Sequence, residues 1–434
     1  MRRNVFRILI IVVLAISLSV TALSSIAQSQ PAITVWTKFN SENPQNVQDE
    51  WMRDVIAAYT EATGNQVTNV FQPYDQINST LNLAVQAGGD VPDVSYVDGQ
   101  FLAFYDYNGA LEDITDWVTA QEWYDDLTPG ALDACTTPDG RILCVPTATP
   151  GTLTYYWTDL YPDGFPATAE QLLNEACPRL TAQGNFALTF KGTENFGLEV
   201  AYHSLIRSAG AAISDEEGRA AWANEEMVGV IEYVRALFAN GCVPEIALAG
   251  GFDFENPFKE GDAGAILAGT WTYVFANPVT APDGTLYDLG ANSILTAAEE
   301  GQIGFAPPLA FEGGEPVSNV YATAWAIPVG SPNPEAAFEF INFTMQSEWN
   351  GRFGVAYGSL PSLVSARENE LFQSNYWTTV AEIQDTYGAA MPYLIEYDRG
   401  IAALAEVFVQ ALTDPNLDVM AALQAAQDNY NNAL

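Results

Sequence analysis

The 434-residue chain is almost without lysine and histidine. Its only lysines are Lys38, Lys191 and Lys259, its only histidine is His203, and 54 acidic residues stand against 15 basic ones for a net charge of −39. Such a surface repels phosphate backbones and anionic lipid headgroups, which excludes nucleic acid and membrane surfaces as natural partners. It also disfavours an anionic ligand unless arginines override the field locally. One histidine and four cysteines without a CxxC spacing exclude the common zinc frameworks, so no metal is expected. No glycine-rich P-loop lysine, G-x-S-x-G, H-E-x-x-H or EF-hand loop occurs, and nothing in the chain calls for a cofactor. Beyond the N-terminus no apolar run is long enough to cross a bilayer.

What is present begins with an export signal. Arg2, Arg3 and Arg7 precede an apolar run over residues 8–20, and Ser25-Ile26-Ala27 supplies small side chains at the −3 and −1 positions of a cleavage site. The expectation is a signal peptide over residues 1–27, cut after Ala27. The alternative, a membrane anchor, needs about 20 apolar residues, more than this run holds. No cysteine lies near the cut, so no lipid anchor is expected, and the location is periplasmic or extracellular. In that compartment an even number of cysteines reads as disulfides, and four allow three pairings. Pro138-Asp139-Gly140 is a turn between Cys135 and Cys144 that favours pairing those two, which leaves Cys177 with Cys242.

The remaining chain suffices for two domains at about 100–200 residues each. Strand-like runs at 33–36, 66–71 and 94–97 alternate with helical spacing at Trp51, Met52, Val55, Ile56 and Tyr59 and at Ile77, Leu81, Ala84 and Val85. That alternation predicts a mainly parallel sheet covered on both faces. Further strands are expected at 152–157, 263–268 and 320–329, and helices at 172–180, 227–238, from Pro334, at 401–412 and at 417–434. No internal repeat or linker marks a single boundary, which suits domains that exchange segments.

Six short motifs in order then carry a resemblance. They are ITVW at 33–36, YTEATGNQV at 59–67, GGDVPDV at 88–94, DGRILCVP at 139–146 followed by YYW at 155–157, FKEGDAGAI at 258–266 followed by GTW at 269–271, and PEAAFEFI at 334–341. Together they resemble the extracytoplasmic solute-binding proteins of ABC importers, in the group typified by maltose and other sugar-binding proteins. Trp157 stands where that group usually has Asn, and Asp262 where Lys is common. The resemblance implies an α/β, two-lobed periplasmic-binding-protein-like fold with a hinge and a central ligand cleft. The lobes are expected from residues 31–146 plus 308–348 and from 147–307 plus 349–434. It further implies a monomer that captures a neutral sugar or oligosaccharide and delivers it to membrane permease subunits, without catalysis.

Sugars are held by flat aromatic faces together with carboxylates, amides and arginines. On that chemistry, and on the positions where the resemblance implies ligand contacts, the candidates are Trp271, beside Gly269 and Thr270; Asp98, at the end of a strand; Asn40, Ser41 and Glu42, after the first strand; Tyr397 and Arg399, before a C-terminal helix; and Tyr321. Each has a plainer reading: Trp271 as a core residue, Asp98 and residues 40–42 as turn or helix caps, and Tyr321 as part of a strand whose other face is core. His203 reads as structural or surface, and Trp36 as core. Tyr155 and Tyr156 resemble an iron-binding pair, but strand alternation sends the two rings to opposite faces. Two other functions stay open: an exported carbohydrate-active enzyme, which needs two carboxylates around a glycosidic bond, and a binder of polyamines or other cations, which the acidic surface suits.

Overall fold

The computed structural model describes residues 32–434; the expected signal peptide, with its cut after Ala27, lies outside them. In chain order the first strands are β1 (Ile33–Thr37), β2 (Val67–Phe71), β3 (Val94–Asp98), β4 (Val145–Thr149), β5 (Thr152–Trp157), β6 (Ala265–Gly269) and β7 (Val279–Thr280). They are followed by β8 (Leu286–Tyr287), β9 (Ile303–Ala306), β10 (Ser318–Val320), β11 (Thr323–Ala326), β12 (Leu360–Pro361) and β13 (Gly388–Ala390). Two sheets organise two lobes. The first has the order β12-β4-β11-β3-β1-β2 and the second β6-β5-β9.

The local signals act as expected. In the Val47–Thr63 helix the Asn46 side chain accepts from Gln48 N and Asp49 N at 3.0 and 2.9 Å, and Gly64 closes the far end at φ 79°. Its apolar stripe of Trp51, Met52, Val55 and Tyr59 is buried against the first sheet's core. Strand β3 is buried along its whole length, as a central strand covered on both faces must be.

The mainly parallel sheet expected from the β-α alternation is corrected. In the first sheet only β2, β1 and β3 form a parallel run; β11 lies antiparallel to both β3 and β4, the second sheet is antiparallel throughout, and β10 and β13 pair in parallel outside both. The cause is the path of the chain. β11 enters the first sheet from the second lobe, so it runs against the strands that the β-α units laid down.

The chain passes into or out of the first sheet at residues 149–152, at 320–323 and after Pro361. The run 320–329, which reads as one strand, is split by the second passage into β10 and β11. The first two passages touch: Tyr321 N donates to Pro150 O at 2.8 Å, and Gly151 pairs with Val320. Trp349, Phe353, Leu363 and Ala366 share a core with β1 and the Val47–Thr63 helix. Cys135 is bonded to Cys144 and Cys177 to Cys242.

Candidate functional site

A cavity of about 870 Å³ lies between the lobes, with Pro150, Tyr321 and Thr323 of the two touching passages in its wall. Its first-lobe side is built on strand ends. Lys38 follows β1, and Asp98 closes β3 and leads into Gln100, Phe101 and Phe104. Tyr74 opens one helix and Tyr357 ends another.

Lys38 sits in a cage of aromatic rings. Its ammonium donates to Tyr357 Oη at 2.7 Å, lies 4.0 Å from Asp98 Oδ2, and stands 4.3, 4.6 and 5.0 Å from the ring centres of Tyr74, Tyr96 and Tyr357. Ring faces attract a cation, the more so when it is shielded from water. Burial works against the charge, but Asp98 and Tyr357 hold the lysine above its ordinary pKa. Asp98 also accepts a hydrogen bond from the Tyr96 hydroxyl.

The second lobe contributes Trp271, directly after β6, together with Glu199 and the turn Glu396–Arg399 at the head of the Tyr397–Thr413 helix. The Trp271 indole folds back over Gly269, where a Cβ would collide with the ring, and it meets Tyr321 edge-on at 5.8 Å between ring centres. The glycine therefore makes room for the indole. Tyr321 donates from its hydroxyl to Glu199 O at 2.7 Å. Burial first, then the neighbouring Asp398 carboxylate, with Asp98 adding to them, push the Glu199 carboxyl up to about 8. Burial and Glu396 raise Asp398 as well. Glu396 has φ 52°, the only non-glycine residue with positive φ among the described residues. Strained backbone of this kind collects at functional sites, where the surroundings hold it in place.

Of the residues expected from sequence, Trp271, Asp98, Tyr321, Tyr397 and Arg399 line the cavity together. Asn40, Ser41 and Glu42 do not. That loop turns back on its own helix: Asp49 Oδ1 accepts from Asn40 N at 2.8 Å, Asn69 Nδ2 donates to Ser41 Oγ at 3.0 Å, and Glu42 faces solvent. Arg399 stacks over Tyr430 at 4.8 Å. Lys38, Tyr74, Gln100, Glu199 and Tyr357 were not foreseen. The one available signal was the position of Lys38 directly after a strand.

The remaining sequence expectations are placed as follows. His203 is fully buried, and burial, aided by Arg207, lowers it to about 3 and keeps it neutral. Trp36 is only partly buried against the core. Tyr155 and Tyr156 do diverge: Tyr155 donates to Gly269 O at 2.9 Å, while Tyr156 stacks on Phe165. Among the described residues no group of three or more His, Cys, Asp or Glu could hold a metal ion, and no helix is long and apolar enough to cross a membrane.

Solved structures share this architecture. The acarbose-binding GacH receptor of Streptomyces glaucescens superposes with a TM-score of 0.72 at 16% identity, over 93% of this chain and 99% of its own. The sugar-binding protein MalE of Xanthomonas citri gives 0.74 at 17%, over 93% and 97%. Maltose-bound MalE3 of T. maritima gives 0.69 at 19%, over 93% and 100%. At these identities the likeness is one of fold. A search of curated proteins returned no match. Residues 54–379 match the family described as bacterial extracellular solute-binding protein, and with three-quarters of its length inside that match the chain belongs to this family.

Proposed function

We propose that the protein is the extracytoplasmic solute-binding component of an ABC importer, and that it captures a sugar or oligosaccharide in the cavity between its lobes and hands it to membrane permease subunits. One observation carries this reading. The cavity sets a flat, half-buried indole, Trp271, on one lobe opposite hydrogen-bonding and charged groups, Lys38, Asp98 and Gln100, on the other. A pyranose has an apolar C–H face for the first and a rim of hydroxyls for the second. The similar structures whose ligands are named hold acarbose and maltose, which is in keeping with it.

On this reading the chain acts as a monomer outside the cytoplasm and performs no chemistry on the sugar. Trp271, Asp98, Tyr321, Tyr397 and Arg399 serve as contacts, and the lobes divide at the three passages. Hinge closure on the ligand is the signal to the permease. A thermal-shift screen of the mature protein against mono- and oligosaccharides tests it, since a ligand that binds only the folded state raises the melting temperature. Saccharide stabilisation without release of shorter products is the expected result. Hydrolysis of the oligosaccharide would favour the enzyme, and stabilisation by polyamines alone would favour the cation binder.

A further inference from the structure

Trp271 is carried by a short piece of backbone that leaves the sheet. The β5–β6 ladder has its last pair at Thr152 and Gly269. One residue on, Thr270 N still donates to Gly151 O at 2.8 Å, but Gly151 N turns to the Thr270 hydroxyl at 3.4 Å. The Gly269 and Thr270 carbonyls are taken by two buried tyrosines, Tyr155 of β5 and Tyr376 of the Asn375–Tyr387 helix. Tyr155 donates to Gly269 O at 2.9 Å and reaches Thr270 O at 3.2 Å, and Tyr376 donates to Thr270 O. The two hydroxyls lie 3.1 Å apart, and their rings stack with 23° between the planes.

A tyrosine hydroxyl has one proton to give. Two hydroxyls therefore serve two carbonyls with none to spare. Burial pushes both tyrosines far above their ordinary pKa, so both remain donors across the neutral range. What these bonds fix is the seat of the indole. The Trp271 ring lies over Gly269, the residue whose carbonyl Tyr155 holds. Against Trp271 Cα itself packs Gly358, the cap of the Ser347–Tyr357 helix, where an added Cβ would stand 3.1 Å away. The backbone at Trp271 is thus pinned by hydroxyls and confined by a glycine.

We propose that Tyr155 and Tyr376 are positioning residues for saccharide binding: their paired hydroxyls hold the peptides of Gly269 and Thr270 so that the Trp271 indole meets the sugar at a fixed angle. This rests on the sugar-binding reading, with Trp271 as a contact, and adds two residues that lie beneath the contact. Without one hydroxyl a buried carbonyl must find another donor, and the peptide that carries Trp271 can turn. The ligand then has to restore the wall, and the ordering it imposes lowers affinity. A tyrosine that only filled the core would change stability and leave affinity alone.

The test is calorimetric titration of the mature protein with maltotriose, cellotriose and xylotriose, the tightest of the three then being carried to the variants. Tyr376→Phe should weaken its binding about three- to tenfold, the net worth of one hydrogen bond, and Tyr155→Phe likewise. If one variant folds poorly, the other carries the same test. On a Trp271→Ala background the same substitutions should change affinity by less than about twofold, since the indole they position is gone. Fluorine NMR of the fluorotryptophan-labelled protein reads the effect without ligand: the Trp271 signal, identified by its loss in Trp271→Phe, should shift or broaden in both variants. Unchanged affinity, an unmoved Trp271 signal, or equal losses on both backgrounds overturns the inference and leaves the sugar reading in place. Binding of none of the three sugars by the wild type overturns both.

Discussion

Gln384 grips Thr149 with both ends of its amide: Nε2 donates to the Thr149 carbonyl at 2.9 Å, and Oε1 accepts from Thr149 Oγ1 at 3.2 Å. Thr149 is the last residue of β4 before the chain passes to the second lobe, and Gln384 belongs to the second-lobe helix Asn375–Tyr387. The pair therefore ties one lobe to the start of the passage. Gln384→Ala removes both hydrogen bonds to the buried Thr149 and should cost about 1–3 kcal/mol, read as a lower melting temperature. A Cβ at Gly151 would collide with the same amide. Gly151→Ala should therefore be destabilising in the wild type and much less so on the Gln384→Ala background, a coupling that a double-mutant cycle measures directly.

Trp271→Ala is expected to spare the fold and weaken saccharide binding by about 2 kcal/mol or more, roughly thirtyfold. Its indole is part-exposed at the cavity wall, so the substitution removes less buried area than in a core tryptophan, where about 3–5 kcal/mol of stability would be lost. Melting temperature and affinity, measured on the same variant, separate the two cases. Gly269→Ala provides a second route, because the added methyl must displace the indole without itself reaching the ligand.

The pH dependence of the unliganded protein follows from Glu199. Its carboxyl titrates near 8 in the fold, against an ordinary value of 4.5. A carboxyl raised by folding contributes stability that is fully present below the unfolded value and is lost as pH rises through the folded one. Wild-type stability should fall between about pH 4.5 and 8, each pKa unit that survives relaxation contributing about 1.4 kcal/mol. Glu199→Gln removes this slope, so the difference in unfolding free energy between variant and wild type should grow with pH over that window. Denaturant melts at pH 5, 6.5 and 8 check the sign.

The two disulfides should differ in weight. Cys177–Cys242 spans 65 residues and Cys135–Cys144 spans 9. On chain entropy alone the longer loop is worth about 1.8 kcal/mol more. The Cys177→Ser, Cys242→Ser double variant should therefore unfold at lower denaturant than the Cys135→Ser, Cys144→Ser one.

Much of the fold was legible because local signals and global packing agree. Asn46 and Gly64 bound a helix whose apolar spacing faces the core, and β5 has the bounds its β-prone run suggests. Strand direction was not legible, since periodicity says which residues face inward but not from which lobe a strand enters. At the site, Trp271 could be found because a glycine next to an indole at a strand end is a local pattern. Glu199 could not. Its importance comes from burial and from Asp398 and Asp98, far away in the chain, while in sequence it is one acid among 54. Residues 40–42 misled for the opposite reason: a polar loop after a strand suits a ligand contact and a helix cap equally, and here Asp49 claims its backbone.

Pro150 and Tyr321 are links between the lobes and also wall of the cavity. In any swing of one lobe on the other, an atom travels in proportion to its distance from the pivot, and these two stand almost on it. Tyr74 and Phe275, which line the same cavity from opposite lobes at 51% and 61% exposure, stand further out. The floor therefore works like the short arm of a lever. On the proposed closure, a small displacement at Tyr321 is magnified into a larger sweep at Tyr74 and Phe275. A pair of fluorophores at Tyr74 and Phe275 would read occupancy as distance.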